Sequence, residues 1–458
     1  MVKIPDELVA ILRAIKEASG WPLIVGGAVR DHLLGYRPKD FDIEVYQLPV
    51  ESLLTVLNRF GKTDQVGVQF GIIKLRTSSN TEYDFSLPRR ENKSGAGHRG
   101  FIVSADPAMT PEEACSRRDY SINAMAYDFH TSQILDFFSG QQDLKNGILR
   151  HVGPAFVEDP LRVLRGLQFV SRFKLEVADE TALLCQQLLQ EYSSLAKERI
   201  WGEWQKWAKS KHPSAGLRFL QKTGWIDCYS EIKNIVDVPQ HHLYHPEGSV
   251  FEHSCHTSDA AAQIAVRLNL SDEKRCLLVL TALCHDYGKP TTTVLEEGIW
   301  KSPGHAEAGI PPAQSFLQAI AAPQELITHA LPLVQEHLSW MQATSSKTVR
   351  RLATRLEPAT IEELLWVIEA DHSGRPPLPG GLPENAQQMQ TKATETNALD
   401  GRVYPILMGK HLLEKGLIAP GPGMGKILRA AYEAQLDEQF RDLDGALVFA
   451  EKFLRDNP

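Results

Sequence analysis

Two aspartates one residue apart, Asp40 and Asp42, follow a glycine pair, Gly26–Gly27, in the run VGGAVRDHLLGYRPKDFDIEVY. On a strand, alternation turns both carboxylates to one face. Two such groups can hold a pair of Mg2+ ions, one activating an attacking 3′-hydroxyl and the other supporting a leaving pyrophosphate. Gly26 and Gly27 lack side chains where a strand meets a helix, so backbone N–H groups there can approach a triphosphate, with Arg30 just behind. Asp84, in TEYDFSL, is a candidate third carboxylate. A lone D-x-D is more often a solvated edge. The ordered combination of GGxVRD and KDFD points to nucleotidyl transfer.

Further motifs follow: RRDYSINAMAYD (117–128), DFFSGQQDLKNGILR (136–150) and EDPLRVLRGLQF (158–169). In order and spacing, the first 170 residues or so resemble the class II tRNA nucleotidyltransferase (CCA-adding) and bacterial poly(A) polymerase family. The resemblance implies a small head with a mixed β-sheet, then helical neck and body. It implies Asp40 and Asp42 as Mg2+ ligands, and Arg117, Arg118 and Asp119 on the ribose and phosphates. Asn123 would support that pocket, with Arg165 in the nucleotide-binding set, and the partners would be tRNA, ATP and CTP.

Nucleotide choice has a physical rationale. Glu158, Asp159 and Arg162 read as the start of a helix, where i and i+3 share a face. A carboxylate accepts hydrogen bonds and a guanidinium donates them. C and A present an amino donor beside a ring-nitrogen acceptor, whereas U and G present the reverse and would leave both contacts unpaired. The segment 87–111 reads as a mobile loop, polar and rich in Gly, Arg and Glu. Members of the family that add only CC have this loop shortened, so its length here favours complete CCA addition. An A-adding enzyme or poly(A) polymerase is the alternative of the same chemistry.

A second constellation spans HPEGSVFEH (245–253), LTALCHDYGKP (280–290), GHAEAG (304–309) and EADHSG (369–374). These segments resemble the HD phosphohydrolase superfamily, which implies His253, His285, Asp286 and Asp371 as metal ligands. His305 and His337 would complete a second metal site, and Lys289 would touch a substrate phosphate. Imidazole and carboxylate suit a divalent transition metal or Mg2+, leaving room for water and phosphate. His241, His242, His245 and His256 match no ligand position. The resemblance implies hydrolysis of 2′,3′-cyclic or terminal phosphates. An HD phosphohydrolase with an RNA-binding head is the alternative from another class.

The elements that must position these residues follow from pattern. Leu8, Ile11, Leu12 and Ile15 recur at helical spacing. WPLIVGGAV reads as strand, turn and helix start, and FDIEVYQL, GVQFGIIKLRT, TEYDFSL, NAMAYDF and QILDFF as strands. From Leu144 the pattern becomes helical. The expected class is α+β: a nucleotidyltransferase head (1–143), a helical neck and body (144–236), an HD domain (237–380) and a helical tail (381–458). In the tail, GPGMG (421–425) reads as a hairpin between two helices that could meet RNA phosphates.

With 458 residues, 43% hydrophobic and 23% charged, the chain has the composition of a soluble multidomain protein. No apolar run suits a membrane. Six cysteines without a CxxC pair point to reduced thiols and the cytoplasm. A net charge of −8 argues against a generic nucleic-acid coat but allows a local basic stripe, here Arg89, Arg90, Lys93, Arg99, Arg117 and Arg118. The oligomeric state stays open.

Overall fold

The computed structural model describes residues 2–38, 40–64, 72–93, 101–106, 108–342 and 345–457. The chain forms two compact units, one of Met1–Trp207 with Ala215–Cys228, the other of Ala208–Ser214 with Tyr229–Pro458.

The first unit opens with helix Asp6–Glu17, whose Leu8, Ile11, Leu12 and Ile15 are fully buried. Burying such a stripe stabilises by about 1.5–3 kcal/mol per side chain. The strands that follow among the described residues are β1 (Trp21–Val25), β2 (Asp42–Tyr46), β3 (Gly61–Asp64), β4 (Ile72–Thr77), β5 (Glu82–Ser86), β6 (Arg89–Lys93), β7 (Phe101–Ala105), β8 (Met125–Asp128) and β9 (Gln133–Asp136), with a short parallel pair, Ile148–Leu149 and Glu176–Val177, further on. Seven form one sheet in the order β3-β4-β5-β2-β1-β8-β9. β2 and β5 run parallel and the other neighbours antiparallel, so the sheet is mixed as expected.

The segment 87–111 departs from the expected loop. β6 and β7 pair as an antiparallel ribbon, Arg89 opposite Ala105 and Lys93 opposite Phe101. A ribbon held by backbone hydrogen bonds needs no apolar alternation, so the polar RRENK of β6 conceals its strand. The FIV of β7 is a strand signal masked by the polar residues around it. Arg99 lies outside the described residues.

Helix Leu161–Phe173 packs on the motif that begins at Arg117. Gly166 permits this: a Cβ there would lie 2.3 Å from the Tyr120 hydroxyl. That hydroxyl donates to the Arg162 carbonyl at 2.8 Å. Trp204, Trp207 and Trp225 fill the helical part of this unit, with the Trp225 indole N–H donating to the Cys185 carbonyl at 2.7 Å.

In the second unit, helices Val250–Arg267, Asp272–Cys284, Gln324–Glu336 and Ile361–Ser373 surround the His and Asp residues of the second constellation. A two-stranded ribbon, Val294–Glu296 against Ile299–Lys301, is added to the helices. Near the C-terminus, Leu412, Ile427, Ala431 and Leu447 make a separate core. The expected GPGMG hairpin is displaced: Gly421 caps helix Pro422–Leu436, and the remaining residues form its first turn. Proline at the first helical position needs no hydrogen-bonded N–H and starts a helix readily. Among the described residues no helix is long and apolar enough to cross a membrane. The six cysteines are all unbridged.

Candidate functional sites

In the first unit, Val25 at the end of β1 stands opposite Asp42 on β2, and Asp42 opposite Asp84 on β5. Neighbours in register share a face of the sheet, and both carboxylates line one cleft. Asp40 lies exposed just ahead of β2. Desolvation raises the Asp42 pKa against the opposing pull of Arg118, and the negative charges of Asp84, Asp40 and Glu44 add to the rise. A cluster of carboxylates that resist shared ionisation suits a bound cation.

The turn between β1 and helix Gly27–Leu33 depends on Gly26. Its φ of 69° lies in the left-handed region, and its N–H donates to the Met125 carbonyl at 3.1 Å. A Cβ there would stand 3.0 Å from Arg118 Nη1. Arg118 in turn approaches Glu44 at 3.7 Å.

Behind this turn, four residues form one hydrogen-bonded wall. The buried Arg30 donates to Asn123 Oδ1 and lies 4.6 Å from the Phe173 ring centre. Asn123 donates to Asp119 Oδ1 at 3.1 Å, and Arg165 Nε donates to Asp119 Oδ2 at 2.7 Å. Burial pushes the Asp119 pKa up, but Arg165, Asn123 and the Tyr120 N–H outweigh it and hold the carboxyl below its usual range.

Arg117 pairs with Glu158 at 2.9 Å. Asp159 and Arg162 line one cleft with Gly26, Gly27 and Asp42. Their setting differs from the expected helical pair, because the helix starts at Leu161 and Asp159 precedes its cap, Pro160. Arg162 donates to the carbonyls of Ala155 and Arg117 at 2.6 and 2.7 Å. The Asp159 carboxylate is held by Arg199, at 2.7 and 3.3 Å. Nothing in the sequence marks Arg199, since only the fold brings it there.

In the second unit, three groups of three possible ligands occur among the described residues, and two of them are made of the expected ligands. His253, His285 and Asp371 converge, with His253 Nε2 3.3 Å from His285 Nε2 and 3.0 Å from Asp371 Oδ1. Asp286, His305 and His337 form the other, with Asp286 Oδ1 3.3 Å from His305 Nε2. Asp286 Oδ2 lies 3.3 Å from His285 Nε2, so this carboxylate joins the two groups. Lys289 Nζ reaches Asp286 Oδ2 at 2.6 Å and Gln240 at 2.7 Å.

Backbone carbonyls orient the rings. Nδ1 of His285, His305 and His337 lies 2.7, 2.7 and 2.6 Å from the carbonyls of Ala282, Ser302 and Val334. A carbonyl only accepts, so each Nδ1 carries a hydrogen, and in the neutral form of each ring Nε2 presents a lone pair. The Nε2 atoms of His305 and His337 lie 3.3 Å apart, and in the neutral rings they face each other as acceptors. A cation between them relieves this repulsion, and a ring held by its other nitrogen is the usual setting of a metal-bound histidine. Burial is the largest cause that pushes the His337 pKa down, to about 3, favouring the neutral ligand form.

Two residues of this site had no sequence assignment. Glu247 Oε1 lies 2.8 Å from His253 Nδ1 and 2.9 Å from His245 Nδ1, so His245 belongs to the cluster after all. Burial works against the Glu247 charge, but the two imidazoles outweigh it and bring its pKa to about 2. Burial likewise lowers the His253 pKa, but Asp371 and Glu247 raise it to about 9. His241, His242 and His256 join none of these triads.

Fold and sites together define a nucleotidyltransferase carrying an HD domain. Residues 23–150 match the poly A polymerase head domain, and residues 250–375 the HD domain. A multifunctional CCA protein of Xanthomonas campestris pv. campestris (strain B100) is 36% identical over 365 residues, covering 77% of this chain and 85% of its own. That of Pasteurella multocida (strain Pm70) is 35% identical over 364 residues, covering 77% and 83%. The chain belongs to the multifunctional CCA protein family. Its fold is shared by the Bacillus stearothermophilus CCA-adding enzyme in complex with CTP (TM-score 0.66, 20% identity, 98% of both chains). It is also shared by the Thermotoga maritima CCA-adding enzyme complexed with tRNA_CCA (TM-score 0.61, 20% identity, 99% of this chain and 97% of that one).

Proposed function

We propose that this chain completes or repairs the 3′-terminal CCA of tRNA from CTP and ATP without a nucleic-acid template, and that its HD domain hydrolyses phosphate ends. The observation that carries the first part is the register of Asp42 with Asp84 beside the Gly26 turn and Arg118. The fold neighbours with CTP and tRNA_CCA support both substrates.

Asp40 and Asp42, with Asp84 alongside, would hold Mg2+, which supplies an activated 3′-hydroxyl and a neutralised pyrophosphate. Arg117 and Arg118 offer positive charge to the triphosphate, and the wall of Arg30, Asn123, Asp119 and Arg165 fixes the ribose. Asp159 accepts the amino hydrogen of C or A. Arg162 has five donors with two committed to carbonyls, and it gives another to the ring nitrogen. The 3′-oxygen of the tRNA bonds to the α-phosphorus as the bond to pyrophosphate breaks.

In the HD domain, His253, His285 and Asp371 would hold one divalent ion and Asp286, His305 and His337 a second, supplying an activated water and a polarised phosphate. The water oxygen bonds to phosphorus as the bond to a ribose oxygen breaks, and that oxygen takes the proton. Lys289 keeps positive charge beside Asp286.

Incubating tRNA that lacks CCA with each nucleotide, singly and together, and sequencing the products tests the first part. CCA from CTP plus ATP, with UTP and GTP refused, is expected. Addition of A alone, or of long poly(A), would replace this reading with an A-adding enzyme or a poly(A) polymerase. For the HD part, metal-replete protein that hydrolyses no cyclic or terminal phosphate would reject the assignment.

A further inference from the structure

Strand β2 continues past Asp42 with a second acid on the same face. Asp42, Glu44 and Tyr46 alternate with Ile43 and Val45, which enter the core. Tyr46 is 1% exposed, its ring centre 5.9 Å from that of Trp21, so its hydroxyl has a fixed place. That hydroxyl donates to Glu44 Oε2 at 2.5 Å. The same oxygen stands 3.7 Å from Arg118 Nη2. Glu44 and Arg118 line one cleft with Asp42 and Asp84. The Glu44 and Arg118 side chains are 12% and 25% exposed, so water screens their attraction only in part.

Arg118 is loosely held for so enclosed a guanidinium. Its Nε is buried without an acceptor, and its Nη1 lies 3.5 Å from the Asn123 carbonyl oxygen. The 3.7 Å to Glu44 exceeds an ordinary hydrogen bond. A phosphate brings the oxygens that would complete such a group. An acid beside a phosphate-binding arginine works against that binding, because it draws on the same positive charge and repels the ligand. Asp42 and Asp84 would have a cation to offset them. Glu44 is tied instead to a hydroxyl and to Arg118.

We propose that Glu44 competes with phosphate for Arg118 and so governs how tightly the site holds triphosphate and pyrophosphate. Before nucleotide binds, Glu44 keeps the guanidinium beside the cleft. Phosphate oxygens then take Arg118 over, while the carboxylate stays on the Tyr46 hydroxyl. After transfer, the charge of Glu44 weakens the hold on pyrophosphate, and the site clears for the next addition. Glu44 is therefore a positioning residue that acts through Arg118. This role rests on the nucleotidyltransferase reading above and adds to it the group that sets product release.

The test compares wild type with Glu44→Gln, using the full chain with Mg2+. Glutamine keeps an oxygen for the Tyr46 hydroxyl and removes the charge. KM for CTP and ATP is expected to fall about tenfold, as is the pyrophosphate concentration that halves the rate. Tighter binding is a gain that mere damage to the fold does not produce. Unchanged inhibition by pyrophosphate would overturn the competition whatever KM does. A raised KM would overturn it too, since Glu44 would then support nucleotide binding. If wild type adds no nucleotide to tRNA, the nucleotidyltransferase reading fails, and calorimetric titration with magnesium pyrophosphate decides the role of Glu44. Tighter binding by Glu44→Gln supports the competition; equal, weaker or absent binding overturns it.

Discussion

Asp159 and Arg199 lie forty residues apart in sequence (|i−j|=40) and meet through two hydrogen bonds, a guanidinium fork closed on a carboxylate. Such bidentate pairs fix direction as well as charge. Arg199→Lys keeps the charge and loses the fork. It should lower kcat/KM for CTP and ATP by about tenfold, which corresponds to one charge-assisted contact, and narrow their lead over UTP and GTP. Steady-state kinetics with all four nucleotides reads both effects. Unchanged discrimination would mean that Asp159 needs no such hold.

The facing Nε2 atoms of His305 and His337 lead to a prediction about metal content. His337→Ala removes one of three ligands from the second triad and leaves His253, His285 and Asp371 in place. Bound divalent metal per chain in the HD domain should fall from two equivalents toward one, measured by elemental analysis after dialysis. Retention of both equivalents would assign that triad another role.

The Asp119–Arg165 pair predicts an acid limb in stability. The folded pKa of Asp119 is depressed, so its contribution is complete above the unfolded value of about 3.9. It is lost as pH falls through the lower folded value. Asp119→Asn should cost about 1.5–3 kcal/mol at neutral pH and flatten the decline below about pH 4. Denaturant unfolding across pH 2–7 (roughly the span set by that carboxylate value) checks this, and parallel curves for the two proteins would refute it.

Gly26→Ala combines a left-handed φ with crowding of Arg118. A side chain in that conformation costs about 1–2 kcal/mol. The variant should melt a few degrees lower and show a raised KM for nucleotide, because Arg118 must shift. A wild-type KM would separate Arg118 from triphosphate binding.

The parts legible in the sequence were those fixed by short spacing. Although β2 begins only at Asp42, so that strand alternation does not set the direction of Asp40, spacing alone singles out Gly26, Asp40 and Asp42 within one strand–helix–strand run. The buried stripe of Leu8, Ile11, Leu12 and Ile15 was legible for the same reason. Arg199, Glu247 and His245 were not, because what marks them is contact across the fold: Arg199 with Asp159, and Glu247 with two imidazoles. β3, of sequence GKTD, has no apolar alternation to announce a strand. β6, of sequence RRENK, shares that lack of signal. β7, FIVSA, carries a strand signal that the polar residues around it outweigh in the composition of the segment. Pro422 and its neighbouring glycines resembled a turn, although proline and glycine also begin helices, as they do here.

The central claim is that Asp42 belongs to the machinery of nucleotide addition. Extension of tRNA lacking CCA should be followed by product sequencing with wild type and Asp42→Ala, alongside the unfolding midpoint of each. The account predicts CCA addition by wild type, none by Asp42→Ala, and midpoints that agree within a few degrees. Addition of CCA by a folded Asp42→Ala at the wild-type rate would contradict it.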